Sequence, residues 1–222
     1  MILSKGFFVT GTDTGVGKTV LSALLVAALD ACYWKPVQTG AVEGTDREAV
    51  RAYAGIAEEN LLPERYCFPP PVSPHLAAQQ AGVRISLDEL ALPAAAGRPC
   101  IVEGAGGVMV PVNESEFMLD LMRRLGLPVV VAARTALGTI NHTLLTLAAL
   151  RSASVAVAGV VLIGAANAEN RRAVEHYGSV RVIGHIPVLE HIHRAALLDV
   201  FARHFDRAAF AGPSQVGAHH DA

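Results

Sequence analysis

The sequence predicts an α/β fold in which helices cover both faces of a mainly parallel β-sheet. Short apolar runs alternate with longer helical segments along most of the chain. Several of those runs, such as 128–133, are apolar at every position, which is typical of parallel strands buried on both faces. This alternation favours strand–helix–strand units and therefore a three-layer architecture.

Local signals bound the elements at the start of the chain. The apolar run before Gly11 predicts a strand over 5–10, and the glycine-rich stretch after it opens a helix over 18–30. Pro36 limits how far the next strand can continue, so Lys35 is expected at its carboxyl end. Ligands of open α/β sheets bind at that edge.

Capping residues bound several of the later helices. Asp46 is predicted to cap a helix that stops at Gly55, and Ser86 with Glu89 predicts a capping box at another helix start. The proline-rich stretch 60–75 is expected to be loop. The predicted strands after the first cover 33–37, 99–102, 128–133, 155–163 and 180–187. The predicted helices after the first cover 47–55, 76–82, 86–92, 116–125, 142–150, 170–177 and 194–206.

Composition favours one globular domain. The chain has 222 residues, of which 52% are hydrophobic and 17% charged, enough for one sizeable core. We expect a single domain over 1–211 and a flexible, polar tail over 212–222.

Charge and hydropathy exclude several classes of partner. The net charge is −2 and aromatic residues make up 5% of the chain, so we expect no nucleic-acid partner. No uninterrupted apolar run reaches about 18 residues, so no membrane partner is expected either. The three cysteines are widely spaced and form no CxxC pair, which is typical of reduced thiols in a cytoplasmic protein.

The glycine-rich turn at 11–19, GTDTGVGKT, predicts a phosphate-binding loop because it joins a strand to a helix. Glycines let backbone N–H groups converge on an anion, and the helix start adds partial positive charge. Lys18 is expected to reach the outer phosphates, and the Thr19 hydroxyl to ligate Mg²⁺. Five residues separate Gly11 from Gly17, where the common pattern has four. A turn that merely caps a core helix is the structural alternative.

Two acidic residues and a lysine complete the candidate site. Glu103 is expected to close the strand 99–102 just before a glycine-rich stretch, and Asp46 lies in the loop after the second strand. Both carboxylates suit Mg²⁺, although a plain helix cap explains Asp46 equally well from local sequence. Lys35 is positioned to stabilise anionic intermediates, with a lysine that extends to solvent as the alternative.

An ordered set of motifs resembles the dethiobiotin synthetase family. The set comprises GTDTGVGKT at 11–19, KPVQTG at 35–40, SPH at 73–75, VEGAGG at 102–107, LGTINH at 137–142 and GHIPVL at 184–189. The match runs in order from residue 6 to about 190. The five-residue spacing in the first loop is itself a trait of that family.

The resemblance implies a P-loop NTPase-like fold and a specific ligase reaction. ATP, CO₂ and 7,8-diaminononanoate (diaminopelargonate) would give dethiobiotin, ADP and phosphate in biotin biosynthesis. A carbamate and then a carbamic–phosphoric anhydride would be the intermediates. Mg²⁺ would be the cofactor and ATP a co-substrate.

The resemblance also implies a role for each matching residue. Lys18 and Lys35 would be catalytic, and Thr19, Asp46 and Glu103 would hold Mg²⁺. The implied nucleotide-binding residues are Thr14, Gly15, Val16, Gly17, Lys18, Thr19, Val20, Asp46, Glu103, Gly104, Ala105, Gly106, Pro187, Val188 and Leu189. The implied substrate-binding residues are Thr14, Lys35, Thr39, Leu137, Gly138 and Asn141.

A homodimer with sites at the subunit interface is a further implication. The helix start at 137–141 of one subunit would bind the distal carboxylate of a substrate held by the other subunit. One position departs from the family pattern, because Ile163 stands where an adenine-reading asparagine is common. Base recognition is then expected to rest on the backbone at 187–189, or base selectivity to be loose.

Two alternative functions stay open on the sequence. A related P-loop amide synthase would normally carry a glutaminase domain, for which the chain after residue 190 is too short. A partitioning-type ATPase switch would carry a second lysine early in the loop, where Thr12 and Asp13 stand. A scaffold without catalysis is opposed by the presence of both Lys35 and Glu103.

Overall fold

A parallel sheet forms the centre of the protein, as seen in a computed structural model that describes residues 5–92 and 97–210. Seven strands in the order β4–β2–β6–β1–β7–β8–β9 form this sheet, and every neighbouring pair is parallel. The remaining two, β3 and β5, pair in parallel as a small separate sheet. The strands are β1 (Gly6–Gly11), β2 (Cys32–Trp34), β3 (Val37–Thr39), β4 (Leu61–Leu62), β5 (Tyr66–Phe68), β6 (Cys100–Gly107), β7 (Val129–Arg134), β8 (Val157–Ile163) and β9 (Val182–Ile186).

Helices cover both faces of the sheet, so the predicted three-layer α/β architecture is confirmed. One buried cluster contains Leu21 and Leu24 of the first helix, and the other contains Leu147 and Val174 of later helices. The helices are α1 (Lys18–Leu29), α2 (Asp46–Ala54), α3 (Pro74–Gln80), α4 (Met118–Leu125), α5 (Thr139–Ser152), α6 (Ala168–Gly178) and α7 (Arg194–His204).

Several predicted elements needed correction. The stretch 33–37 is two strands rather than one, because the chain leaves the main sheet after Trp34 and pairs with β5 from Val37. The expected loop 60–75 contains β4 and β5. The expected helix 86–92 is only a 3₁₀ turn at Leu87–Glu89, since the Glu89 carboxylate bonds to Arg65 and Tyr66 instead of closing a capping box.

Two corrections affect the candidate site directly. Glu103 does not end its strand, because β6 continues through the glycines to Gly107. Asp46 is not the helix cap: Thr45 caps α2 in a reciprocal capping box with Glu48, and Asp46 is the first helical residue. Gly55 ends that helix in a left-handed conformation, as predicted.

The remaining elements match the prediction within a few residues, apart from α5, which begins at Thr139 rather than 142. The predicted tail 212–222 lies outside the described residues, so the expectation that it is flexible stays a prediction. In the described ranges no helix is long and apolar enough to cross a membrane.

Candidate active site

The glycine-rich turn forms a loop between the end of β1 and the start of α1. Gly17 caps α1 with a φ of 98°, a left-handed conformation that favours glycine. Val16 is buried beneath the loop and anchors it to the core. The start of the loop is braced from outside, since the Arg134 guanidinium lies 3.3 Å from an Asp13 carboxylate oxygen and 3.4 Å from the Thr14 carbonyl oxygen.

The Lys18 ammonium folds back over this loop. Its Nζ donates a hydrogen bond to the Asp13 carbonyl oxygen at 3.0 Å. Burial lowers the pKa of Lys18 and the nearby positive charge of Lys35 lowers it further, while neighbouring carboxylates oppose the change. A cation held within a loop at a helix start suits a phosphate ligand.

Three oxygen-bearing side chains meet beside Lys18. The Thr19 hydroxyl donates to Asp46 Oδ1 at 2.6 Å and lies 3.1 Å from Glu103 Oε1. These residues come from α1, α2 and β6, so the fold brings together positions up to 84 residues apart. Thr19, Asp46 and Glu103, the three residues that the resemblance implies for Mg²⁺, therefore lie in contact with one another.

Lys35 joins the two carboxylates of this cluster. Its Nζ forms an ion pair with Asp46 and lies 3.3 Å from Glu103 Oε1. Burial alone would lower the pKa of Lys35, but the charges of Glu103 and Asp46 overcome it and raise the pKa. For the acid Asp46 the effects are reversed: burial would raise its pKa, but the charge of Lys35 and the hydrogen bonds to Asp46 lower it. Lys35 is therefore charged and buried, not a surface lysine.

Neighbouring polar groups hold the Asp46 backbone and the Glu103 carboxylate in place. The buried Gln38 side chain accepts a hydrogen bond from the Asp46 backbone N–H at 3.1 Å and donates to the Thr39 carbonyl oxygen at 2.7 Å. The Tyr33 hydroxyl donates to Glu103 Oε2 at 3.0 Å. Neither residue was singled out from the sequence, although Gln38 lies within the KPVQTG motif and Tyr33 lies two residues before it.

A cavity of about 670 Å³ opens over the cluster. Its wall is polar around the loop and more apolar where the chain passes Tyr53 and Val72. Twelve of the predicted residues line it: Thr14, Gly15, Gly17, Lys18, Thr19, Val20, Lys35, Thr39, Asp46, Glu103, Ala105 and Gly106. The other lining residues are Gln38, Gly40, Ala49, Tyr53, Pro71, Val72, Ser73, Pro74 and Val110. Among these, Ser73 and Pro74 belong to the SPH motif.

Not every residue of the glycine-rich strand end faces the cavity. A Cβ added to Gly104 would lie 2.9 Å from the Phe8 ring, so this glycine allows close packing of β6 on the core. A Cβ added to Gly106, whose φ is 64°, would lie 2.6 Å from Val110 Cγ2 and 3.6 Å from the Thr14 hydroxyl, both at the cavity wall. The glycine stretch thus serves packing at one position and the cavity at another.

The donor set fits a hard divalent cation. A hydroxyl and two carboxylates converge within hydrogen-bonding distance beside a phosphate-type loop, and Mg²⁺ prefers such oxygen ligands. No cluster of three or more His, Cys, Asp or Glu residues suited to a metal occurs among the described residues. His193 caps α7, because its ring accepts a hydrogen bond from the Ala196 backbone N–H.

The candidate base-binding residues lie at the carboxyl ends of β8 and β9. Ile163 pairs with Ile186, and its side chain comes within 3.0 Å of where a Gly17 Cβ would stand. The segment 187–189 follows directly but does not line the cavity. Two asparagines follow Ile163 in the chain, but each has a structural partner. Asn167 caps α6, and the Asn170 amide donates to the Thr135 carbonyl oxygen.

The predicted carboxylate-binding turn lies apart from the cavity of its own chain. Leu137 is fully exposed, at 104% of its reference area, and Gly138 caps α5 without any side-chain cap. Asn141 is exposed in the first turn of the helix. None of the three lines the cavity.

Comparisons with known proteins give close relatives over nearly the whole chain. A family profile described as an AAA domain matches residues 5–196. A protein of Bradyrhizobium sp. named ATP-dependent dethiobiotin synthetase BioD is 49% identical over 94% of this chain and 100% of its own length. A protein of the same name from Paramagnetospirillum magneticum is 51% identical over 87% of this chain and 93% of its own. Another, from Rhodopseudomonas palustris strain BisB5, is 49% identical over 94% and 98%.

Proposed function

Because the chain belongs to the ATP-dependent dethiobiotin synthetase family, we propose that the cavity over Lys18, Lys35, Asp46 and Glu103 is the site where that ligase reaction occurs. The enzyme forms dethiobiotin at the expense of ATP in biotin biosynthesis. The observation that carries the site assignment is the contact of Thr19, Lys35, Asp46 and Glu103 at the phosphate-type loop. Membership of this family rules out the two alternatives, a P-loop amide synthase and a partitioning-type ATPase switch.

The reaction is proposed to proceed in three bond-forming steps. One amine of 7,8-diaminononanoate attacks CO₂ and loses a proton, giving a carbamate. A carbamate oxygen attacks the γ-phosphorus of ATP, and ADP leaves with the electrons of the broken P–O bond. The second amine then attacks the carbamoyl carbon and loses a proton to solvent, while the C–O bond to the phosphoryl group breaks, which expels phosphate and closes the ureido ring.

Positioning and cationic stabilisation supply most of the catalysis in this proposal. Lys18 binds the outer phosphates, and Lys35 contacts the carbamate and the transferred phosphoryl group. Both ammonium groups are buried, where a charge stabilises an anion more strongly than in water. Thr14 and Thr39, at the cavity wall, bind the diamine end of the substrate.

Magnesium is the proposed cofactor. Thr19, Asp46 and Glu103 would hold it, and it would neutralise phosphate charge as ATP binds. Lys35 pairs with both carboxylates, so its single positive charge offsets part of their negative charge. The nucleotide contacts include the loop from Thr14 to Val20, with the segment 187–189 beside the base.

A homodimer is also proposed, with each site completed by the partner subunit. The support is the exposed helix start at 137–141, which is uncapped by side chains and displays a fully exposed Leu137. Backbone N–H groups at such a helix start suit the distal carboxylate of the substrate. The proposed location is the cytoplasm, which suits a protein whose three cysteines are free thiols.

The direct test supplies 7,8-diaminononanoate, bicarbonate and MgATP to the purified protein. Mass spectrometry should detect dethiobiotin, with ADP and phosphate released in equal amounts. Folded protein that forms no product would refute the function. Product formation that survives at the wild-type rate in a Glu103→Gln variant would refute the site but not the function.

Mixing two inactive variants tests the shared site. Lys35→Met removes the ammonium, and Gly138→Val strains the helix start, where φ is 94°. A heterodimer of the two holds one intact site, so activity should return on mixing and subunit exchange. Mixtures as inactive as the separate variants, in a protein shown to exchange subunits, would refute the shared site.

A further inference from the structure

Tyr33 is the one fully buried tyrosine whose hydroxyl contacts the proposed metal shell within the described residues. Its side chain has no exposed area, and its hydroxyl donates to Glu103 Oε2 at 3.0 Å. Tyr33 pairs with Ile101 across β2 and β6, and side chains two residues apart on a strand share a face. Tyr33 and Glu103 therefore both project from the α1 side of the sheet.

The two oxygens of Glu103 have separate partners. Oε1 faces both the Thr19 hydroxyl at 3.1 Å and Lys35 Nζ at 3.3 Å, whereas Oε2 accepts from the Tyr33 hydroxyl. A hydroxyl bound to one oxygen holds the plane of the carboxylate and leaves the other oxygen directed at the site. Without that hydroxyl, Oε2 would be buried with no donor among the described residues.

The Tyr33 hydroxyl and the Glu103 side chain are both buried, so the hydrogen bond between them is shielded from solvent. A hydrogen bond to a carboxylate is among the stronger kinds.

We propose that Tyr33 is a positioning residue for the reaction, which orients Glu103 so that Oε1 points at the cation of bound MgATP. This inference rests on the proposed metal role of Glu103 and adds to it a residue that touches neither metal nor substrate.

The test compares two tyrosine-to-phenylalanine variants. Tyr33→Phe removes only the hydroxyl and keeps the ring. Tyr66→Phe is the matched control, because the Tyr66 hydroxyl also lies 3.0 Å from a glutamate oxygen, on Glu89, outside the cavity lining. Thermal unfolding of both variants reports the structural cost of losing a buried hydroxyl.

The decisive readout is affinity for the metal. Mn²⁺ binding to the protein with β,γ-methylene-ATP, followed by electron paramagnetic resonance, should weaken about tenfold in Tyr33→Phe and stay unchanged in Tyr66→Phe. In turnover assays the Mg²⁺ concentration for half-maximal rate should rise by a similar factor, with the KM for 7,8-diaminononanoate unchanged.

A third variant separates the two levels of the proposal. Glu103→Gln should weaken Mn²⁺ binding more than Tyr33→Phe does. If Glu103→Gln weakens binding and Tyr33→Phe matches Tyr66→Phe, the positioning role is refuted while the metal role stands. If Glu103→Gln leaves binding unchanged, both roles are refuted.

Discussion

Replacing Lys35 by methionine removes the charge at the centre of the site and keeps most of the aliphatic side chain. Lys35 is 5% exposed and is paired with Asp46 and Glu103, so its loss leaves two carboxylates facing each other. At 3.3 Å and an effective dielectric constant of about 20, the attraction between Lys35 and Glu103 alone is about 5 kcal/mol. Desolvation of the charges offsets part of it.

Breaking such a buried ion pair typically lowers the free energy of unfolding by about 3–5 kcal/mol, and we expect a loss of about 3 kcal/mol here. In a chain of 222 residues this lowers the midpoint of thermal unfolding by roughly 6–12 °C in EDTA. Turnover should fall about 10²- to 10³-fold, the effect of removing one stabilising donor from a developing anion.

Circular dichroism melts with EDTA or Mg²⁺ and a dethiobiotin assay measure both effects. Mg²⁺ should raise the melting midpoint of Lys35→Met more than that of the wild type, since a divalent cation replaces the missing positive charge. Lys5→Met, at an exposed lysine, is the control and should match the wild type. A melting midpoint in EDTA within 2 °C of wild type, together with turnover within twofold, would show that Lys35 has neither role.

Three other outcomes are expected. Because Ile163 stands in place of a base-reading amide, kcat/KM for CTP and GTP should lie within about tenfold of the ATP value, which is the worth of one hydrogen bond. A strong preference for ATP, measured as nucleoside diphosphate released, would contradict this. Thr45→Ala should lower the free energy of unfolding in urea by about 1 kcal/mol and raise the Mg²⁺ concentration needed for activity, because the Thr45 cap positions Asp46. Unchanged stability would show that the cap does not support α2. Thiol titration of the native protein should label Cys67 first, because Cys67 is exposed. Cys100 should stay unreactive until denaturation, because burial raises its pKa to about 12. Mass spectrometry of the labelled peptides measures the order, and labelling of Cys100 before Cys67 would contradict the prediction.

The pattern of apolar residues and the glycine-rich motif were enough to predict the three layers of the fold and the phosphate-type loop. Unbroken apolar runs such as 128–133 report burial on both faces, and the loop at 11–19 is local in sequence. Lys35 was expected at the carboxyl end of the second strand because of Pro36, and it directly follows the shorter β2.

The errors arose where competing partners decide the conformation. Thr45 and Glu48 form a capping box whose Thr-x-x-Glu spacing was readable, yet Asp46 was preferred as the cap on residue type alone. Glu89 pairs with Arg65 and Tyr66 through contacts more than 20 residues apart, which no local pattern reveals. The small β3–β5 sheet was missed for the same reason, since each strand has only three residues.

The site residues missed from the sequence act through other residues. Tyr33 belongs to no motif, and Gln38 lies within the KPVQTG motif without a role of its own assigned there. Their roles follow from the register of β2 and β6 and from the start of α2. Arg134 lies 121 residues from Asp13 and becomes visible as a brace only once β1 and β7 are neighbours.

Lys35 directly follows β2, Glu103 lies within β6, and the loop before Lys18 follows β1; these three strands are adjacent in the main sheet. Buried central strands exchange their amide hydrogens mainly through global unfolding. A small local opening therefore cannot move Glu103 or the base of the loop while the rest of the sheet stays intact. Heat should consequently abolish activity and secondary structure at the same temperature, and the amides of Phe8 and Val102 should exchange at the global rate.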